Sequence, residues 1–510
     1  MRGGRGTRRG VLARALDWVE RAGNRLPDPL TLFAIAALVV IVASWLAAAA
    51  GVSVRHPGTG ETVQAVSLLS RVGLQRMLTE MVPNFTAFPP LGTVLVVMLG
   101  IGVAERTGLV AAALRGLVAV MPASALPATL VFAGIMSSLA ADAGYVVLTP
   151  LGAVVFAGMG RHPLAGLAAA FAGVSAGFSA NLVLTALDPL LAGFTEPAAR
   201  LVDPDYVVRP TANYYFMIVS TVLLTAVGTF VTVRVVEPRL GTWHGEVGDA
   251  RGEAASPRSE RRGLLAAVLA LLATVAVVAG LVLPEGAVLR DETGGLEPFY
   301  DALVPLLMLA FLLPGIAYGL AAGTLRSDKA LAAMAGDTMA TMGSYIVLAF
   351  VAAQFVAYFG WSNLGLVVAV RGADLLRALG IGGVPLLVGF VLVSAGINLL
   401  IGSASAKWAI VAPVFVPMLM LMGYSPETVQ AAYRVGDSVT NVVTPLLPYF
   451  PIIIAFARRY DPDVGLGTLV AAMMPYSVAF LASWLVLLVA WVVLGVPLGP
   501  DAPVHYAPGG

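Results

Sequence analysis

The sequence predicts an all-α integral membrane protein: nine transmembrane helices plus two opposed re-entrant helical hairpins, arranged as inverted repeats. Three observations predict it. Apolar residues make up 59% of the chain and charged residues 12%, in successive runs of roughly 20 residues, the length that takes a helix across a bilayer. Lys and Arg cluster at alternate ends of those runs, as the positive-inside rule requires. Third, two polar, proline-broken stretches resemble each other. Tyr145, Pro150, Pro163, Gly173 and Ser175 recur as Trp408, Pro413, Pro426, Gly436 and Ser438, each 263 positions later.

Along the chain, residues 1–29 are arginine-rich and read as a cytoplasmic N-terminal segment. Followed by the apolar run 30–50 they imitate a signal peptide. That run is too long for one, however, and Pro27 and Pro29 suit the start of a retained helix. Crossings at 30–51 and 88–104 make up the unit 30–104. The first repeat copy, 105–193, holds an apolar stretch at 123–158 interrupted by helix breakers, a hairpin buried within protein, and then a crossing at 163–193. Residues 194–360 supply scaffold helices at 213–236, 263–283, 302–322 and 343–360. The second copy, 361–455, repeats the plan with a hairpin at 382–424 and a crossing at 427–455; 456–510 adds a last crossing, 467–496, and a tail.

Charge sets the orientation. The N-terminal arginines, Arg251, Arg258, Arg261 and Arg262, Arg326 with Lys329, and Arg458 with Arg459 fall on one side, which is cytoplasmic. The loop 52–87, the segment 194–212, the acidic loop with Asp291, Glu292 and Glu297, and the tail from Pro497 fall outside. The first hairpin then opens to the cytoplasm, near Arg106, Arg115 and Arg161, and the second opens outward, near Arg371, Asp374 and Arg377. GLVAAALRG (108–116) and GLVVAVRG (365–372) precede the hairpins, and Pro122 matches Pro385. Chance likeness among small apolar residues is the alternative, but matched proline spacing argues for a repeat, the arrangement transporters use around a central site.

Several function classes drop out. A net charge of +1 without a basic face excludes nucleic acid as a partner. With no cysteine there is no disulfide and no thiolate chemistry. No HExxH, Walker A or dinucleotide motif is present. Gly173-Val174-Ser175-Ala176-Gly177 fits a nucleophile elbow but lies in an apolar helix, where small residues serve close packing.

The ionisable groups within membrane segments are Asp142, Asp188, Lys407, Arg434 and Asp437, all inside the repeat copies. Arg434 and Asp437, three apart on one helix, share a face and can pair. They make either a structural ion pair or a functional set in which Arg434 takes a substrate carboxylate and Asp437 a cation or proton. Asp188 precedes Pro189, which bends or ends its helix; the freed carbonyls suit a small cation, or the helix emerges at the outer surface there. At the second hairpin tip, Asn398, Ser403, Ser405 and Trp408 offer amide, hydroxyl and indole groups. Trp408 either stacks on an aromatic ligand or serves as an interfacial anchor or packing residue, and Lys407 either snorkels or binds. Asn441, Thr444 and Pro445 resemble Asn181, Thr185 and Pro189 if the first copy carries a short insertion, and Asn181 and Asn441 would then each help hold an ion.

The strings NRLPDPLTLF, SANLVLTALDPLLAGFTEPAA, NYYFM, GSASAKWAIVAPVFVPM and YRVGDSVTNVVTPLLPYFPII resemble the AbgT family of p-aminobenzoyl-glutamate transporters over nearly the whole chain. The resemblance implies a homodimer in the bacterial inner membrane, with dimer contacts in the helices of 194–360 and lipid around it. It implies a substrate with an aminobenzene core, a p-aminobenzoyl-glutamate-like aromatic carboxylate or a sulfonamide, moved by a proton or sodium gradient. It implies no enzyme activity and no cofactor beyond a sodium ion near Asp188 and Asn398. Trp408, Ser405, Ser403, Arg434, Pro426 and Asn398 are the expected substrate residues; Asp188, Asp437, Asn398, Asn181 and Asn441 are the expected ion or proton residues. A channel or a hydrolase built on Ser175 are the competing classes.

Overall fold

A computed structural model of the chain describes residues 29–507, apart from 56–59, 121, 123, 141–143, 242, 244–256, 402, 445–446 and 448. The N-terminal arginines, Asp142, Arg251 and Pro445 therefore lie outside the described residues.

Among the described residues, seven helices are long and apolar enough to cross a membrane: Leu30–Ala49, Met81–Arg106, Tyr214–Leu240, Arg258–Val282, Leu303–Ala322, Gly343–Trp361 and Leu466–Leu494. They coincide with seven of the nine expected crossings. Arg258–Val282 buries almost nothing inside the chain although it is apolar all round, so its surroundings must themselves be apolar. One small departure from an all-α fold stands in the loop after the first helix, where strands β1 (Ser53–Arg55) and β2 (Thr62–Gln64) pair antiparallel.

The other two expected crossings, 163–193 and 427–455, are not continuous helices. In the first copy the hairpin legs are α1 (Leu126–Met136) and α2 (Thr149–Gly158). After them α3 (Pro163–Phe171) continues as a π-turn, Ala172–Ala176, and the chain leaves helical structure until α4 (Leu187–Ala199). In the second copy the legs are α5 (Gly383–Asn398) and α6 (Ala404–Met420), followed by α7 (Pro426–Val439), a break, and α8 (Phe450–Ala457). The reason is local. Asn181 and Asp188 side chains capture the backbone N–H groups of Val183 (3.0 Å) and Thr185 (2.6 Å), which a continuous helix would use itself.

The two breaks fall in register along the sequence. Pro163 and Pro426 each open a helix at its first turn, and Leu187 and Phe450 each open the next one, both 263 positions apart. No insertion separates the copies, so Asn181 is matched by Thr444 and Thr185 by Pro448, rather than by Asn441 and Thr444. The shared glycines have a packing reason. A Cβ on Gly173 would run into the Val131 carbonyl of α1, and one on Gly436 into the Val391 carbonyl of α5. Each broken helix thus lies directly against the first leg of its own hairpin.

The hairpin mouths sit at different ends of the fold. At the first, Arg161 grips Glu237 with two hydrogen bonds of 2.7 and 2.5 Å, and Leu164 and Leu167 line a cavity with Leu469 and Ala472, near the start of Leu466–Leu494. At the second, Ser425 N–H donates to Val504 (3.1 Å) and Tyr424 bridges to His505, in the chain just beyond the end of that same helix.

Candidate functional site

The two breaks meet in the middle of the molecule. Asp188 is buried in the first turn of α4, where the unpaired N–H groups of a helix start favour a carboxylate. Its Oδ2 accepts from the Thr185 N–H and from Thr185 Oγ1 (2.9 Å), while Oδ1 accepts from Arg434 Nη2. Arg434, on α7, is 2% exposed, and its Nε has no partner. Asp188 is therefore not at an outer helix end, as its position before Pro189 had allowed; Pro189 begins a helix here rather than ending one.

Arg434 and Asp437 do not pair with each other, the arrangement their spacing had allowed. Asp437 Oδ1 instead receives the Lys407 ammonium at 2.5 Å, and the same ammonium contacts Asn398 Oδ1. Lys407 does not snorkel; it is 1% exposed. Asn398 Nδ2 is directed at the Asp437 carbonyl, Thr440 Oγ1 (2.8 Å) and Asn441 Oδ1 (2.8 Å). Tyr433 OH, 3.1 Å from Asp437 Oδ1 and 2.6 Å from the Ala404 carbonyl, closes this second nest against the start of α6. Asp437 Oδ2 has no partner.

Trp408 is fully buried, stacked on Tyr433 with ring centroids 4.4 Å apart. Its Nε1 donates to Thr195 Oγ1 at 2.9 Å, Thr195 lies 2.6 Å from Gln430 Oε1, and Gln430 Nε2 donates to Asn213 Oδ1 at 2.9 Å. Ser403 caps α6 through the Ala406 N–H, with Ser405 Oγ 3.3 Å from its own hydroxyl. Asn181 Nδ2 reaches Ser138 Oγ (3.0 Å), in the turn after the first leg of the first hairpin, and Asn441 Nδ2 reaches the Ser175 carbonyl (3.2 Å) across the copies. Pro426 stands at the start of α7, about three turns, or roughly 16 Å, from Asp437; it shapes the helix entry and does not touch the charges. Ser175 sits wholly buried in the π-turn with no partner for its hydroxyl, so no base activates it.

Two cations and two carboxylates thus meet in two neutral pairs. Around the first, Ser179, Asn181, Thr185, Asp188, Tyr214 and Arg434 line a cleft of about 10 Å³, room for roughly one water molecule. The expected sodium position does not fit these residues. Asp188 and Asn398 belong to different nests, and their oxygens already face Arg434 and Lys407. No cluster of three His, Asp or Glu side chains forms among the described residues.

Thr185, Thr195, Gln430, Tyr433 and Thr440 belong to the networks, and Lys407 is a partner in them, which the sequence reading missed. A signal for part of this was present. Along 427–441, polar residues recur at 427, 430, 434, 437 and 441, one stripe of a helix in an otherwise apolar chain.

A family model described as "AbgT putative transporter family" matches residues 14–506. The p-aminobenzoyl-glutamate transport protein of Escherichia coli K12 is 40% identical over 486 residues, 95% of this chain and 95% of that protein. Among solved structures, the YdaH transporter of Alcanivorax borkumensis, described as having an unusual topology, matches with a TM-score of 0.89 at 48% identity, over 93% of this chain and 100% of that one. Neisseria gonorrhoeae MtrF, described as illuminating a class of antimetabolite efflux pumps, matches with a TM-score of 0.88 at 46% identity, over 96% of this chain and 100% of that one.

Proposed function

The chain belongs to the AbgT transporter family, and from that premise we propose a secondary transporter for p-aminobenzoyl-glutamate and sulfonamide-type antimetabolites, driven by a proton or sodium gradient. The observation that carries this is the ion pair between Asp188 of one broken helix and Arg434 of the other. The pair is neutral and buried, so an anionic substrate can take the Arg434 fork only by displacing Asp188. The charge balance lost at Asp188 must then be restored by the driving gradient, which links substrate movement to it. Arg434 Nε, buried and unpartnered, is a donor left over for the incoming carboxylate. The aromatic ring of the substrate rests near Trp408, once the stack with Tyr433 opens.

In this reading the two broken helices count as the eighth and ninth crossings. The hairpins with α3–α4 and α7–α8 form the moving unit, against scaffold and dimer helices within 194–360. Mouths at different ends let that unit face each side in turn. The setting is the bacterial inner membrane, with the N-terminus cytoplasmic and the tail outside. Counterflow in proteoliposomes with labelled p-aminobenzoyl-glutamate and a sulfonamide, under separately imposed sodium and proton gradients, tests it. Saturable exchange is expected; unsaturable flux through the purified protein would point to a channel instead.

A further inference from the structure

The centre of the second repeat is built as a cation cage, and a side chain already fills it. Asp437 Oδ1 and Asn398 Oδ1 converge on one point, which the Lys407 ammonium occupies. Both are hard oxygen ligands, one charged and one neutral, the donor chemistry an alkali cation selects. The cage is held from behind. Asn398 turns its amide nitrogen to Thr440 and Asn441, which fixes its oxygen toward the cage, and Tyr433 OH holds the same Asp437 oxygen. These three elements are the two legs of the second hairpin, carrying Asn398 on α5 and Lys407 on α6, and the broken helix α7 carrying Asp437.

We infer that Lys407 is a tethered cation: its ammonium holds the place a sodium ion would take between Asp437 and Asn398, so sodium does not bind there, and of the two gradients left open above it is the proton gradient that drives transport. A buried carboxylate without a countercharge costs several kcal/mol, so something positive must stand beside Asp437. An ammonium on a four-carbon stem is a compact point charge of the right kind. Because it is covalently part of α6, it cannot exchange with solution. It pins both hairpin legs to α7 whatever the ionic composition outside. The other carboxylate, Asp188, is countered by Arg434 in the same way, so both cation positions in the centre belong to the chain.

The inference deepens the transporter reading above but does not need its substrate to be right. Purified protein is melted in NaCl and in choline chloride at equal ionic strength, and ²²Na⁺ binding is measured alongside. Wild type should show no sodium-specific rise in melting temperature and no saturable ²²Na⁺ binding. Lys407→Ala should acquire both, the rise growing with sodium concentration, and Lys407→Ala with Asp437→Asn should lose them again. In proteoliposomes, replacing sodium by choline should leave wild-type exchange of p-aminobenzoyl-glutamate within about twofold, while Lys407→Ala should become about tenfold faster in sodium than in choline. Saturable sodium binding by wild type that vanishes in Asp437→Asn overturns the proposal, and this arm decides even if no Lys407 variant folds. A folded Lys407→Ala or Lys407→Ser without any sodium response overturns it as well. If the sodium arm behaves as expected while no variant moves p-aminobenzoyl-glutamate, it is the substrate assignment that fails.

Discussion

The two repeat copies share a backbone and divide the chemistry. Both have a hairpin, a proline-led helix that breaks in register, and a glycine that lets the helix touch the hairpin. Their side chains differ where it matters. Phe171 stands where the second copy has Arg434, and Val174 where it has Asp437. Phe171 packs edge-on against Tyr145 (6.2 Å) and Phe450 (5.6 Å), and Tyr145 stacks on Tyr449 at 4.0 Å, an aromatic cluster in place of the ion pairs. One copy keeps an apolar bearing while its twin carries charge. The first copy contributes Asp188, from the far side of its break, so among the described residues the one direct ionic link between copies at the centre crosses the pseudo-symmetry instead of obeying it.

Cutting that link should give the largest effect. Arg434→Ala or Asp188→Ala is expected to abolish exchange and, by leaving one buried charge alone, to cost about 3–5 kcal/mol of stability. The pair Arg434→Gln with Asp188→Asn should recover most of that stability and none of the transport, as read by thermal melting and counterflow together. A double variant that transports would show the link to be structural only. Next comes the shared backbone. Gly173→Ala and Gly436→Ala each drive a methyl into a carbonyl of a hairpin leg, with an expected loss of about 1–3 kcal/mol in either copy. A loss confined to one copy would break the claim that the glycines do the same job twice. Thr195→Val is a smaller perturbation. It leaves the Trp408 indole with the weaker 3.3 Å contact to the Leu191 carbonyl and Gln430 Oε1 without its hydroxyl. About 1 kcal/mol should be lost, seen as a several-fold rise in KM for the aromatic substrate with kcat nearly unchanged.

The architecture was legible because membrane insertion imposes long apolar runs, and all seven long helices fall where those runs do. The repeat was legible through prolines, whose positions composition cannot imitate. Partners were harder. Spacing shows which residues of one helix share a face, so Arg434 and Asp437 looked like a pair. What decides the pairing is the neighbouring chain, and Asp188, 246 positions away, is invisible to a local pattern. The snorkelling alternative for Lys407 fails for a related reason. Snorkelling is open to a lysine within reach of an interface, and α6 is sealed between α7 and α4, with Lys407 and Trp408 both buried. The broken crossings were half legible: Asp-Pro at 188–189 marked an irregularity, but whether a proline ends one helix or begins the next depends on what caps it.

The smallest expected difference between the copies lies at the two caps that open α3 and α7. Ser425 Oγ accepts from the Thr428 N–H at 3.1 Å; at the equivalent position His162 Nδ1 accepts from the Leu164 N–H at 3.3 Å. A serine caps at any pH, whereas an imidazole nitrogen can accept only while it is unprotonated. Burial pushes the His162 pKa below its ordinary 6.5, against opposing pulls from Asp461 and Glu237. The unfolded chain therefore takes up this proton more readily than the folded one, so the cap's contribution is intact above pH 6.5 and is lost as pH falls through and below that value. His162→Ser should leave stability at pH 8 within a few tenths of a kcal/mol and flatten its decline between pH 7 and 5. Ser425→Ala should cost about 1 kcal/mol at both ends of that range. If His162→Ser keeps the acid-side slope of the parent, the titrating group lies elsewhere and the two caps are alike after all.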